Sequence, residues 1–416
     1  MKIYHKYLLK KEYGLKENTL WYTLGNLCSS ATSVLLMIIV TRILGVNKAG
    51  IFAIAYSIAQ LMLTIGWFGT RSFQVSDVRE EFRFSDYLNL KIILSLVILA
   101  GGIIYSICLN NYGYKLLVAA LYCVLILGDV FADIFAGRFQ QIDKLYLAGM
   151  SYTIRNICYC ITFLLSLLIT KELIVGLCAA IVVSFTVLRV FDYPMIKETS
   201  VIDVKVDSEK IVRLVKACFP LFISSFVTTF IMNIPKNAIE VTFSQNIQAY
   251  YNIIFTPSSL VNMFCMFIFV PLYTSIAKAW NDGDIKVFKK IIFRIVLMVL
   301  GLSAFALISG ALFGVPILEF VYGVQLMEYK IPFLVLVGAG CINGLNTVWS
   351  YIFTVVRKQK YVLVIYIISL VCSQILIMPL ISVLGVTGAS VDYLFGISVI
   401  CILFSVIFVF KIQKKV

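Results

Sequence analysis

Apolar residues occur along the chain in long runs that short polar and charged segments interrupt. Each run is long enough for the roughly 20 residues that a helix needs to cross a bilayer, and none alternates with the period of two typical of a strand. An all-α integral membrane protein is therefore predicted. Its twelve spans are 19–44, 50–72, 87–109, 114–137, 145–169, 172–192, 217–242, 247–279, 291–315, 331–356, 361–382 and 387–410.

The longest polar segment follows the sixth span and divides the spans into two groups of six. An even number of spans in each group means that both groups start from the same side of the membrane, as in a parallel repeat. Two six-helix lobes related by pseudo-twofold symmetry are therefore expected. The predicted organisation is an N-terminal tail 1–18, an N-lobe 19–192, a linker 193–216, a C-lobe 217–410 and a C-terminal tail 411–416.

The composition excludes a soluble enzyme, because 61% of the residues are apolar and only 13% are charged, against about 45–50% and about 25% in an average soluble domain. The net charge of +14 comes from the connections: 28 of the 35 basic residues fall on one side of the predicted membrane. Lys and Arg accumulate on cytoplasmic loops, so both termini are predicted to be cytoplasmic and nucleic acid is not an expected partner. The connection after the second span contributes Arg71, Arg79, Arg83 and Lys91 to this set.

Catalytic and metal-binding motifs do not stand out in this sequence. The 11 cysteines lie mostly in apolar runs without a C-x-x-C spacing, and His5 is the single histidine. These features fit buried, inert thiols better than a metal site. A nucleotide-binding loop and the common hydrolase motifs are also missing. We therefore expect neither an enzyme nor a bound cofactor.

Two spans carry polar residues at steps of three or four, which places each set on one helix face. Such stripes join helices by hydrogen bonds or line an aqueous path. A lysine in the seventh span favours an aqueous path over simple joining of helices, because an ammonium inside the membrane is costly unless it faces water or a partner. The alternative is that its side chain snorkels to the outer interface. Glu240 is one turn from Lys236 and is its candidate partner. The first span carries Asn26, Ser29, Ser30 and Ser33, and the seventh carries Ser225, Thr229, Asn233, Lys236 and Glu240.

Asp129 and Asp133 lie one turn apart in the fourth span, and Arg155 lies in the fifth. Asp129 and Arg155 are at similar distances from the hairpin turn near Gln141, so they are expected at similar depth. The sequence predicts an ion pair between them. Such a pair is either structural or part of a site for an ion, a proton or the substrate.

Two further cations mark the ends of spans. Arg42 is near the outer end of the first span and fits an interfacial anchor. Arg71 is at the inner end of the second span, where it is either a topological charge or a contact of a cytoplasmic gate.

Several stretches, taken in their order and spacing, resemble the Wzx-type O-antigen and capsular polysaccharide flippases. These form the polysaccharide transporter family of the multidrug/oligosaccharidyl-lipid/polysaccharide (MOP) superfamily. The stretches are TRILGVNKAGIFAIAYSIAQL, FGTRSFQVSDVREEFRFSDY, NIPKNAIEVTFSQNIQAYYNIIF, FVPLYTSIAKAWNDGDIKVFKK and FGVPILEFVYG.

The resemblance implies a MATE-like fold with two lobes around a central cavity. It also implies transport of undecaprenyl-diphosphate-linked oligosaccharides from the inner to the outer leaflet of the bacterial cytoplasmic membrane, by alternating access, for lipopolysaccharide or capsule biosynthesis. The partners that it implies are membrane lipids, a polysaccharide polymerase and glycosyltransferases. The substrate-binding candidates are the cations Lys236, Arg155, Arg42 and Arg71 and the polar Asn26 and Asn233. Our candidates for coupling to a proton or sodium ion are Asp129, Asp133 and Glu240.

Other functions stay open. Flippases for teichoic acid precursors or for lipid II are close alternatives, and a MATE-type drug/cation antiporter would share the fold. Such an antiporter needs an acidic lumen, which Lys236 and Arg155 oppose. A membrane-embedded polymerase or ligase needs a large outer loop, whereas the longest outer loop here, about 316–330, is short.

Overall fold

The computed structural model describes residues 14–77, 81–202, 207–356, 358–408 and 410, and every regular element in these ranges is a helix. The predicted tails lie outside the described residues, apart from 14–18. The chain divides into two compact units, Met1–Phe226 and Val227–Val416. The boundary between them falls inside one long helix.

The first unit contains seven helices before that boundary. A π-helical turn, Leu188–Asp192, joins the sixth to the seventh. The helices are α1 (Leu15–Trp67), α2 (Thr70–Ser76), α3 (Phe84–Cys108), α4 (Tyr114–Gln141), α5 (Leu145–Thr170), α6 (Leu173–Val187) and α7 (Tyr193–Thr199).

Helix α8 (Ser208–Thr242) contains the boundary, and six more helices complete the second unit. Another π-helical turn, Gly310–Gly314, connects two of them. These helices are α9 (Gln245–Asn281), α10 (Ile285–Ser309), α11 (Val315–Tyr322), α12 (Lys330–Val355), α13 (Gln359–Leu384) and α14 (Val386–Ile407).

Helix α1 has 53 residues, but its backbone breaks at Gly45, where φ is 81° and ψ is 172°. This conformation is essentially restricted to glycine. A straight helix of this length would measure about 80 Å, far more than the ~30 Å hydrocarbon core. The break therefore divides α1 where the sequence predicts the end of one span and the start of the next.

In the described part of the chain, nine helices satisfy the length and hydropathy that a membrane crossing requires. Large apolar side chains are exposed along them, as Leu96 and Ile104 of α3 illustrate. Exposed apolar rows of this kind suit a lipid environment and not water. The chain is a multi-pass membrane protein, and the number of twelve spans stays a prediction.

Helices α1 and α5 cross with their backbones in contact at two glycines. A Cβ atom on Gly149 would lie 2.2 Å from the carbonyl oxygen of Trp21, and one on Gly25 would lie 2.7 Å from the carbonyl oxygen of Gly149. Small residues permit such close approach of membrane helices. The crossing places Asn18 beside α5, where its Oδ1 accepts a hydrogen bond of 2.9 Å from the backbone N–H of Tyr146.

Candidate functional site

The two acidic residues of α4 are bound by different cations, although they are one turn apart. Arg155 of α5 forms the predicted pair, with its Nη2 2.5 Å from Oδ1 of Asp129. The Arg155 side chain is 1% exposed and that of Asp129 is 32% exposed. The carboxylate of the pair is therefore partly accessible, whereas the guanidinium is enclosed by protein.

Asp133 binds a lysine that the sequence placed among the loop cations. Lys91 lies inside α3 and not in a connection, and its side chain is fully buried. Its Nζ is 3.2 Å from Oδ2 of Asp133 and donates to the carbonyl oxygens of Gly66, at 2.7 Å, and Trp67, at 3.2 Å. These carbonyls belong to the last turn of α1 and have no partner within the helix. Lys91 thus ties the end of α1 to α4, and its predicted place in a connection is wrong.

Arg71, one of the predicted substrate-binding cations, lies in α2 and contacts side chains of α1 and α4. Its Nη1 donates to the hydroxyl of Tyr22 at 2.8 Å, and its Nη2 donates to Oε1 of Gln140 at 3.1 Å. Its Nη1 is also 3.8 Å from Oδ1 of Asp133. The side chain is 19% exposed. Arg71 therefore joins α1, α2 and α4 while its side chain stays partly exposed.

Further polar contacts surround Arg155. Its Nη1 donates to Oγ of Ser184 on α6 at 3.3 Å. The amide of the adjacent Asn156 donates to Oγ of Ser29 at 2.7 Å. Ser29 belongs to the polar stripe of the first span, so at least this member of the stripe joins helices.

Asp192 is a buried acidic residue that the sequence analysis did not select. It lies in the π-helical turn after α6 and accepts a hydrogen bond of 2.7 Å from Oγ of Ser151. Its position at the end of the predicted span 172–192 is typical of a residue that borders a connection. A carboxylate next to an apolar run was the only signal for it in the sequence.

Three cations and three acidic residues occur in this network of the first unit. Asp129 is bound by Arg155, and Asp133 is bound by Lys91 with Arg71 at 3.8 Å, whereas Asp192 accepts a hydrogen bond from Ser151. Arg155 can therefore bind an anion only by competing with a carboxylate. The cations are Lys91, Arg71 and Arg155, and the acids are Asp129, Asp133 and Asp192.

Lys236 in the second unit has a different environment. Its Nζ lies 4.3 Å from the ring centroid of Phe255, a cation–π contact. Within the described residues, no side chain accepts a hydrogen bond from this ammonium, so the pairing expected with Glu240 is not formed. Glu240 itself is buried one turn further along α8. Lys236 is thus a candidate cation without a neutralising carboxylate.

The remaining predicted residues are placed as follows. Arg42 is exposed near the break in α1, as an interfacial anchor would be. Asn26 is exposed and donates to the carbonyl oxygen of Tyr22 one turn earlier. Asn233 is buried and donates to the carbonyl oxygen of Thr229. Both amides are held by their own helices and keep acceptor oxygens for other contacts.

Asp392 is a second buried acidic residue that the sequence analysis did not select. It is fully buried in α14, beside Tyr251 and Ser373. A carboxylate in the apolar run 387–410 was a visible signal, since charges inside membrane helices are rare. Among the described residues, no ion pair is formed by Asp392, which distinguishes it from Asp129 and Asp133.

The sequence profile of the family described as "Polysaccharide biosynthesis protein" matches residues 15–280. No curated protein matches the chain.

Three solved structures illustrate the fold. An inward-facing multidrug resistance MATE family transporter of the MOP superfamily has a TM-score of 0.70, at 15% identity over 94% of this chain and 95% of that one. The lipid II flippase MurJ, in an inward closed conformation, has a TM-score of 0.71, at 15% identity over 94% and 87%. A MOP superfamily transporter from Pyrococcus furiosus has a TM-score of 0.56, at 12% identity over 96% and 95%. The fold is therefore MATE-like.

Proposed function

The chain belongs to the family of polysaccharide biosynthesis proteins, and we propose from this membership that it is a flippase for lipid-linked oligosaccharides of surface polysaccharides. Its substrate is an oligosaccharide repeat unit on an undecaprenyl diphosphate carrier. The protein moves it from the inner to the outer leaflet of the bacterial cytoplasmic membrane by alternating access. The family membership is the observation that carries this proposal, and the buried cations of the membrane helices support it.

A diphosphate does not cross ~30 Å of hydrocarbon unaided, because its charges lose their hydration. It needs a wet path with cations that replace water at the phosphate oxygens. Lys236 suits this role because the ammonium contacts a ring face and, among the described residues, no carboxylate neutralises it. Arg71 suits it because its side chain is 19% exposed and a guanidinium can bind phosphate oxygens in pairs.

Arg155 has a different role in this proposal, as the structural partner of Asp129. It is nearly inaccessible, and its two terminal nitrogens are engaged by Asp129 and Ser184. An incoming diphosphate would have to displace a carboxylate at 2.5 Å to reach it.

The membrane potential supplies part of the driving force in this mechanism. With a negative interior, each negative charge that moves outward gains ~2.3 kcal/mol per 100 mV. The two charges of a diphosphate gain about twice that if they cross the full field. Proton or sodium coupling through Asp129, Asp133 or Glu240 is then an additional source and not a requirement.

The experiment is flipping of a fluorescent undecaprenyl-diphosphate oligosaccharide in proteoliposomes with a defined potassium gradient. We expect valinomycin to raise the rate when the potential favours movement of the anion. We expect Lys236→Gln to lower the rate about tenfold, and Lys236→Arg to retain most of it, because the charge persists. The loss in Lys236→Gln should be smaller for a monophosphate carrier with the same glycan.

Other outcomes identify the alternatives. Transport of lipid II or a teichoic acid precursor, but not of the oligosaccharide, would assign the chain to another lipid-linked precursor. Transport of a cationic dye alone would favour the antiporter. A flipping rate that is unchanged by both the potential and Lys236→Gln contradicts the mechanism proposed here.

A further inference from the structure

A cavity of about 690 Å³ opens at one end of the first unit, outside the network of buried charges. It lies where α3 begins and where α4 and α7 end. Three cations line it, Arg83, Arg138 and Lys197, together with one acid, Glu198. This end of the unit is the side on which the basic residues predict the cytoplasm.

Two hydrogen bonds fix the wall of the cavity. Nη2 of Arg138 donates to the carbonyl oxygen of Thr199 at 2.9 Å, and Oγ of Ser85 donates to the carbonyl oxygen of Val201 at 3.0 Å. The first bond attaches Thr199, the last residue of α7, to α4, and the second attaches Val201, two residues later, to α3. The cavity is thus formed by three elements that are bonded to each other, and Arg83 and Lys197 remain exposed at it.

The lining charges add up to +2. The carboxylate of Asp86 in the first turn of α3 accepts a hydrogen bond of 2.9 Å from the backbone N–H of Arg83, so the positive charge of the cavity comes from its side chains and not from the helix end. Arginine binds phosphate oxygens in pairs and lysine adds a point charge. Phe84 and Val201 supply apolar surface beside the cations. A phosphate group with an attached apolar or uncharged portion matches this combination.

We propose that this cavity is a binding site for an anionic phosphate group, separate from the path of the transported substrate. The phosphate belongs either to an anionic phospholipid of the adjacent leaflet or to a phosphate free in solution. Its place at the ends of membrane helices brings phospholipid headgroups within reach, and anionic lipids concentrate at the cytoplasmic surface.

The test is ligand-induced stabilisation of the purified full chain in detergent, because a ligand of the folded state raises the unfolding temperature. The probes are phosphatidylglycerol, phosphatidylcholine and inorganic phosphate, each titrated at constant ionic strength. We expect phosphatidylglycerol to stabilise the protein more than zwitterionic phosphatidylcholine. Stabilisation by inorganic phosphate as well would identify a site for free phosphate, and its absence would identify a site for the lipid headgroup; both results support the proposal.

Two exposed cations of the cavity are replaced in the variant Arg83→Gln/Lys197→Gln. It should need at least tenfold more phosphatidylglycerol, or phosphate, for half-maximal stabilisation. The matched control is Lys286→Gln/Lys289→Gln, which removes two exposed cations from α10 in the second unit and should bind as the wild type does.

A second variant, Glu198→Gln, removes the acid from the cavity and should bind the same probe more tightly than the wild type. Its expected effect on the affinity is opposite to that of the double variant, so it tests the proposal even if the double variant folds poorly. The proposal is overturned if no anionic probe stabilises the protein, or if the cavity variants and the α10 control respond alike.

Discussion

Lys91 and Asp133 form an ion pair with Nζ 3.2 Å from Oδ2, in which the lysine side chain is fully buried and that of Asp133 is 11% exposed. The same ammonium binds the carbonyl oxygens of Gly66 and Trp67 at the end of α1. One cation thus satisfies a buried carboxylate and two helix-end carbonyls, and it joins three helices. Removal of one partner from a buried pair costs about 3–5 kcal/mol, because the other charge loses its partner. Arg71, 3.8 Å from Asp133, keeps part of the compensation and favours the lower end of this range.

We therefore predict that Lys91→Met destabilises the protein by about 3 kcal/mol, although the two side chains have similar volume. The thermal unfolding of the detergent-purified protein measures this loss. Lys289→Met is the control, since it removes an exposed lysine and should change stability by less than about 0.5 kcal/mol. Equal unfolding temperatures for the two variants would refute the structural role assigned to Lys91.

The pair between Arg155 and Asp129 has unequal exposure, and this predicts an unequal response to substitution. Asp129→Leu removes the ion-pair partner of a guanidinium that is 1% exposed and donates its other side-chain hydrogen bond in the described structure to the Ser184 hydroxyl, and should cost about 3–5 kcal/mol. Arg155→Met leaves a carboxylate that is 32% exposed, so the loss should be clearly smaller. The double variant should be more stable than Asp129→Leu alone.

Unfolding of the four proteins, as a double-mutant cycle, measures the coupling between the two side chains. A larger loss in Arg155→Met than in Asp129→Leu would show that the exposure of the carboxylate does not protect it. Flipping rates of the same variants separate the two roles of Arg155. An Arg155→Met protein that is less stable than the wild type but transports normally supports the structural role.

The helices and the first ion pair could be predicted from the sequence because both depend on local patterns. Apolar runs of sufficient length specify membrane helices, and the predicted span 145–169 corresponds to α5, Leu145–Thr170. The pair between Asp129 and Arg155 followed from their distances to one hairpin turn, since the rise of a helix converts sequence separation into depth.

Lys91 could not be predicted because its role depends on distant residues. Its position near a polar connection is typical of a topological cation. Its partners are 42 residues away at Asp133 and 25 residues away at Gly66. Only the packing of α1, α3 and α4 brings these groups together. For the same reason, sequence could not distinguish Lys236, which has no carboxylate partner in the described structure, from Arg155, which has one.

The crossing of α1 and α5 depends on Gly149, because the backbone of Trp21 occupies the space of a Cβ atom. Gly149→Ala should separate the helices and destabilise the protein by about 1–3 kcal/mol, as overpacking usually does. Gly101→Ala is the matched control, since its nearest atom is the flexible Met62 Sδ at 3.2 Å. Unfolding in detergent provides the comparison, and equal stability of the two variants would contradict the backbone contact.

The break in α1 predicts a different cost at Gly45. A Cβ atom there would meet nothing within 4 Å, so packing does not oppose Gly45→Ala. The backbone does, because φ of 81° with ψ of 172° is accessible to glycine and not to alanine without strain. We expect a loss of about 1–3 kcal/mol in the free energy of unfolding. Gly301→Ala, also without atoms nearby but inside α10, should instead gain about 0.5–1 kcal/mol, because alanine favours the helix. If Gly45→Ala shares this gain, α1 continues as a regular helix through residue 45, and the division between the first two spans lies elsewhere.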